Sequence, residues 1–263
     1  MTEQATVLGA ELWPPKRIAA EMIGSLPMGG AVMDTPIHTF AQSPKALSFL
    51  LNPSSLNPVR TDIDLAGLLG FVIDDVVTAQ EAAYIIDASE YFGFREEAPG
   101  ISTPPGMRMN KSVHWIGDEQ MFGPLMNRIK ALLPPEIDGA KLHSQLSHRI
   151  NVYRYDDGDV FNQHIDGDWP GYGLDSSRQM MLEWPHLRSC LTMILYLNDP
   201  SDGVVGGNTR LRSLNGNWID VTPKKGSALF FRHGFTKDSV LHIGAPVYGN
   251  IPKYVARINV MYQ

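Results

Sequence analysis

INVYRYDDGDVFNQHID, residues 150–166, is the stretch whose reading decides the fold. Asn151, Tyr153 and Tyr155 alternate with Val152 and Arg154, which is the two-residue period of a β-strand. Asp157-Gly158 marks a turn, and residues 160–165 resume an extended run that ends in His164-Ile165-Asp166. Residues two apart in an extended chain share a face, so the His164 imidazole and the Asp166 carboxylate can converge on one metal ion. The pattern alone is thin. With 8 His and 18 Asp among 263 residues, His-x-Asp arises by chance about once in every two such chains. The plain alternative is a turn carboxylate capping a strand end beside a surface histidine.

Working outward toward the C-terminus, the context favours the metal. Residues 189–199 (SCLTMILYLND) form an apolar strand with Thr192, Ile194 and Tyr196 on one face and Leu191, Met193 and Leu195 on the other. A glycine turn at 206–207 leads into 210–212, and further short runs follow at 221–223, 227–232, 240–244 and 253–261. About eight short strands with turn signals between them predict a jelly roll, two sheets packed face to face. His242 lies on one of these strands. Two histidines and one carboxylate make the facial ligand set that leaves positions open on Fe(II), so His164, Asp166 and His242 are the candidate metal triad. On the last strand Lys253, Val255, Arg257 and Asn259 share a face, which allows both cations to point inward.

Other stretches are less regular. Residues 167–188, beginning GDWPGYGLD, lack alternation and are expected to form a long loop. It is either a lid bringing Trp169, Tyr172 and Trp184 to a substrate or a loop that its tryptophans pack onto the barrel. Upstream, residues 69–73 read as a buried strand, and Thr78-Ala79-Gln80-Glu81 is a capping box opening a helix to about residue 89. A second helix is expected within 118–133, with Pro124 in its first turn. Residues 1–67 are an N-terminal extension broken by Pro and Gly, with short helical pieces at 15–23 and 46–51. It is either an arm over the active site or a partner, or an extension without such a role.

Composition excludes several classes. Net charge is −6 and no long basic run occurs, which speaks against a nucleic-acid partner. No apolar run approaches the ~20 residues of a membrane span, and the opening residues lack the basic-then-apolar order of a secretory signal. Cys190 is the only cysteine, so no intramolecular disulfide forms and a cytoplasmic location is expected. The residues set no oligomeric state.

Residues from about 68 to 263 resemble the Fe(II)/2-oxoglutarate dioxygenases, in particular the prolyl-4-hydroxylase-like branch. The resemblance rests on VYRYDDGDVFNQHIDG, LTMILYLND, GGNTRL, KKGSALFFRH and VLHIGAPVYGNIPKYVARINVMY, in the family's order. It implies a mainly β fold with flanking helices around a double-stranded β-helix (jelly roll, cupin-like) core. Residues 68–141 would be the helical support and 142–263 the core. It further implies Fe(II) held by His164, Asp166 and His242, with 2-oxoglutarate and O2 as cosubstrates. Lys253 would pair with the distal carboxylate of 2-oxoglutarate, and Tyr155, Tyr196 and Thr209 would line that pocket. Arg257 is left between that carboxylate, an anionic group on the substrate and a structural ion pair. Asn151, Tyr153, Trp169, Tyr172 and Trp184 are candidate substrate contacts. Where the family usually has Glu, this chain has Asn208.

The activity implied is hydroxylation of an unactivated C–H in a small molecule or a protein or peptide side chain, with release of succinate and CO2. Two alternatives stand beside it. Arg257-Ile258-Asn259 resembles the end of a motif of oxidative nucleic-acid dealkylases, and a non-catalytic jelly-roll binding protein would carry the triad fortuitously.

Overall fold

A computed structural model describes residues 13–49 and 55–263. Among these residues one large sheet runs in the order Val59–Asp62, Gly70–Asp74, Ala228–Arg232, Met181–Tyr196, Lys253–Tyr262, Ala140–Tyr155, Lys111–Ile116, Ala31–Phe40, Lys16–Ser25 and Ala98–Pro99. A four-stranded sheet of Trp218–Val221, Thr209–Arg212, His242–Gly244 and Phe161–His164 lies against it. This is the expected double-stranded β-helix core with flanking helices.

The alternation of each central strand divides the molecule into two cores. Ile150, Val152, Leu191, Met193, Leu195, Ala256 and Ile258 point outward, against the helices Ala79–Phe92 and Glu119–Ile129. Burial of each of these side chains other than Ala256 contributes roughly 1.5–3 kcal/mol. The intervening residues Tyr153, Tyr155, Tyr196 and Val255 point inward and meet Leu211 and Val247 in the space between the sheets. That inner space carries the polar side chains.

The first helix starts where its capping box places it. Thr78 accepts from the Glu81 N–H, and the Glu81 side chain accepts from the Thr78 N–H. The second helix is capped by Asp118, and Pro124 sits in its second turn rather than its first.

Two other expectations are corrected. Residues 15–23 are not helical: Lys16–Ser25 and Ala31–Phe40 form an antiparallel hairpin. Its register shifts between Ile18 and Ala20 and again between Met22 and Gly24, so bulges break the period that would reveal a strand. The hairpin joins the large sheet through the parallel pairing of His38 with Trp115. It also props residues 100–106, since Gly100 donates to Ile23 O and Gly106 to Pro27 O. The expected piece at 46–51 is a short 3-10 turn at Lys45–Leu47, its remainder falling partly outside the described residues.

Residues 167–188, likewise, are no irregular loop. Pro170–Leu174 pairs with Met181–Tyr196, a strand of 16 residues that continues into the core. Pro185 and a register shift at Pro170/Gly171 hide the alternation. Gly171 and Gly173 are required there, because a Cβ at either would come within 2.5 Å of the Trp184 ring.

If the hairpin is an integral part of the sheet, truncating Ile37, which is fully buried, removes core contacts. Ile37→Ala is expected to lower stability by about 2–5 kcal/mol in urea unfolding; an unchanged midpoint would mean the hairpin is not folded into the domain.

Candidate metal and carboxylate site

His164 and His242 face each other in register on adjacent strands of the small sheet. Asp166 follows two residues beyond His164. Its Oδ1 lies 3.6 Å from His164 Nε2 and its Oδ2 3.9 Å from His242 Nε2. One ligand atom from each of the three falls within 4.8 Å of the other two. Each imidazole is oriented from behind: His164 Nδ1 is 2.7 Å from Asn162 O, and His242 Nδ1 is 3.2 Å from Val240 O. A carbonyl can only accept, so the proton sits on Nδ1 and the Nε2 lone pair is free for a metal. Burial, with His164 alongside, lowers the His242 pKa to about 3, which keeps it neutral. Phe161 stacks on His164 and Phe231 leans on His242, which fixes the rings.

The carboxylate is held as firmly. Burial would raise the Asp166 pKa, but Arg257, His242 and His164 outweigh it and hold the group well below the usual range. Arg257 Nε donates to Oδ2 at 3.0 Å and Thr192 Oγ1 donates to the same oxygen at 2.6 Å. Behind Thr192 runs a chain that the sequence did not reveal. His233 Nδ1 is 2.7 Å from Thr192 Oγ1, and His233 Nε2 is 2.8 Å from Ser189 Oγ. Since the one Thr192 proton goes to Asp166, His233 must donate from Nδ1 and accept from Ser189. Ser189 Oγ in turn accepts from the Trp169 N–H. The signal available was the shared face of Thr192 and Ile194; nothing in FFRHG marked His233.

At the other end of the inner cavity Lys253 is fully enclosed. Its Nζ donates to Gly207 O at 2.5 Å and lies 5.1 and 5.8 Å from the rings of Tyr155 and Tyr196. Gly207, at φ 71°, must be glycine: a Cβ would meet Lys253 Cδ at 2.7 Å. Burial lowers the Lys253 pKa to about 7, and no carboxylate pairs with it among the described residues. Burial raises the Tyr155 and Tyr196 phenols, which stay protonated as donors, and Tyr196 donates to Thr209 Oγ1 at 2.9 Å. An unmatched buried ammonium beside two phenols is a fitting receptor for a carboxylate. Lys253, Tyr155, Thr209, Arg257 and the triad all line one cavity.

The candidate substrate contacts divide. Tyr153 lines both this cavity and an outer cleft of about 520 Å3, and Trp169 stands at the mouth of that cleft. Asn151 is buried and accepts from Arg149 Nε at 3.3 Å. Tyr172 packs with Ala19, Ile37 and Ile116. Trp184 is edge-on to His148, on a different surface. Arg257 makes an ion pair with Asp166 at 3.0 Å.

Residues 150–261 match the model described as the 2OG-Fe(II) oxygenase superfamily. No match to the chain is found among the curated proteins. Among solved structures it is similar to a viral collagen prolyl hydroxylase from Paramecium Bursaria Chlorella virus-1, solved with 2OG: 22% identity, TM-score 0.50, 76% of this chain and 98% of that one. A prolyl-4-hydroxylase of Pseudomonas putida gives 16% identity and a TM-score of 0.52, over 75% of this chain and 95% of that one. A Trichoplax adhaerens prolyl hydroxylase, solved with a hypoxia inducible factor peptide fragment, gives 16% and 0.53, over 74% of this chain and 84% of that one. These identities bear on the fold. No helix among the described residues is long and apolar enough to cross a membrane.

Two predictions follow from this geometry. Thr192→Val removes one of the two donors to Asp166 and should weaken Fe(II) binding about 10–100-fold with the fold intact; unchanged affinity by metal titration would mean that Thr192 does not support the ligand. Because the folded Lys253 pKa lies below the ordinary 10.5, the unfolded chain binds more protons between about pH 7 and 10.5, and stability rises with pH there. From pH 7 to 9 this amounts to on the order of 2 kcal/mol in the ligand-free protein. Lys253→Met should abolish that slope in parallel urea titrations, and a slope equal to wild type would contradict the assignment.

Proposed function

We propose that this chain, whose residues 150–261 match the model of the 2OG-Fe(II) oxygenase superfamily, is a Fe(II)- and 2-oxoglutarate-dependent hydroxylase of prolyl-hydroxylase-like type, with His164, Asp166 and His242 as its iron ligands. The observation that carries the reading is the convergence of those three donors within 4.8 Å, with both Nε2 atoms free. The donor set fits ferrous iron, being two imidazoles and one carboxylate with no thiolate. When bound, iron with 2-oxoglutarate and O2 supplies an oxidant strong enough for an unactivated C–H, releasing succinate and CO2.

The chain's own residues do the rest. Lys253 pairs with the distal carboxylate of the cosubstrate, and Tyr155, Tyr196 and Thr209 surround it with donors and an apolar wall. Arg257 and Thr192 hold Asp166 ionised and turned toward the two imidazoles. Phe161 and Phe231 keep water from the ring faces. The substrate enters through the cleft beside Trp169, and it is a small molecule or a peptide side chain. An intact Asp166 supports hydroxylation, since the carboxylate occupies the position where another anion would otherwise sit.

Anaerobic addition of Fe(II) and 2-oxoglutarate should produce a weak visible charge-transfer band, and O2 should then release succinate. His164→Ala should lose both. A protein that shows no band with full metal loading would be a binding module instead.

A further inference from the structure

The outer cleft has apolar walls and one ionic feature on its floor. Ile101, Pro104 and Met107 form one side, Trp169 and Phe235 the other, and Arg257 closes it next to Asp166. Phe235 is 76% exposed and adopts φ 36°, a conformation that a bulky side chain rarely accepts. Arg257 is 7% exposed; its Nε is taken by Asp166, but its Nη2 is buried with no partner.

Two more guanidiniums stand behind this floor. Arg149 donates to Pro99 O at 2.7 Å and to Asn151, and lies 2.9 Å from His114 Nδ1; its guanidinium is 5.6 Å from the Trp169 ring. Burial lowers its pKa to about 10, so it remains a cation. Arg108 donates to the carbonyls of Ser25, Glu96 and Asn110 and to the Asn110 side chain. All these acceptors are neutral. Burial, then Arg149, Arg108 and Arg257, keep His114 well below its ordinary pKa.

The carboxylates do not balance this. Asp166 is engaged by Arg257, and Asp168 at the rim is engaged by Arg188 at 2.5 Å. Under the proposed function, on which this inference rests, Lys253 takes the distal carboxylate of 2-oxoglutarate, and Asp166 is shared between iron and Arg257. Arg149 and Arg108 make no ion pair among the described residues and the Nη2 of Arg257 has no partner, and an uncompensated buried charge is costly.

We propose that the cleft takes a small molecule bearing a carboxylate, held by the free Nη2 of Arg257, with its carbon skeleton against Met107, Trp169 and Phe235. A planar carboxylate suits a guanidinium edge. An internal residue of a peptide offers no such group, so this separates free acids from peptide substrates.

The test is calorimetric titration of matched acid and amide pairs, cyclopentanecarboxylate against cyclopentanecarboxamide and cyclohexanecarboxylate against cyclohexanecarboxamide. The protein is loaded with Mn(II) and 2-oxoglutarate, so the readout is binding and not turnover. Each acid should bind about tenfold or more tighter than its amide. Arg257→Lys, which keeps a cation beside Asp166 but removes Nη2, should erase that preference. Equal binding of acid and amide, no binding by either acid, or tighter binding of cyclohexyl phosphate than of the carboxylate would each overturn the proposal. So would a preference that survives in Arg257→Lys; if that variant loses Mn(II), the wild-type pairs decide alone. Failure of the wild type to take up Mn(II) and 2-oxoglutarate would instead remove the enzymatic reading beneath it.

Discussion

The bond between Arg257 and the Asp166 carboxylate is the interaction on which the site depends. Asp166 is only 11% exposed, and this desolvation disfavours its charge; the guanidinium, the Thr192 hydroxyl and the two imidazoles keep it ionised. Without that charge there is no anionic ligand for a divalent ion, and two neutral imidazoles alone would hold it weakly. The fold supplies the two donors from neighbouring strands whose register pairs Ile194 with Arg257 and Thr192 with Asn259. Side chains of Thr192, Ile194 and Arg257 therefore meet on the inner face, while their intervening neighbours pack the helices. A one-residue slip of either strand would send this set to the wrong face.

The same inner face separates two cationic tasks by position. Lys253 lies at the closed end, between tyrosines and the Gly207 carbonyl, where a ligand's carboxylate would replace water. Arg257 lies four residues farther along, at the junction of the cavity and the outer cleft. A residue spacing of four on a strand keeps both on one face but about 13 Å apart along the chain. Each cation can then serve a different anion.

Much of this was legible in the chain because it follows from period and chemistry. The alternation in residues 150–155 and 189–196 set strand faces, and the capping box at Thr78–Glu81 set a helix start that the structure reproduces. The candidate triad could be picked out because two of its residues lie two apart on a strand and His242 sits on a matching strand, and the structure brings the three within 4.8 Å. What stayed hidden had a physical cause. Bulges in Lys16–Ser25 and the proline in Met181–Tyr196 erase the period on which strand recognition depends. His233 reaches Asp166 only through Thr192, 41 residues away in the chain, and Arg108 and Arg149 gain their setting from the N-terminal hairpin and the 98–108 segment. Contacts of that kind are made by topology and carry no local signature. Trp184 misled for the opposite reason: an aromatic beside a ligand motif lies over glycines on another surface.

The central claim is that one ferrous ion is held by two imidazoles and one carboxylate between the two sheets. X-ray absorption at the iron edge of protein loaded with one Fe(II) tests it most directly. The account predicts a shell of nitrogen and oxygen at about 2.0–2.2 Å, with multiple scattering from two imidazoles that falls to one in His242→Ala. A shell without imidazole scattering, or one unchanged by removal of His242, would contradict it.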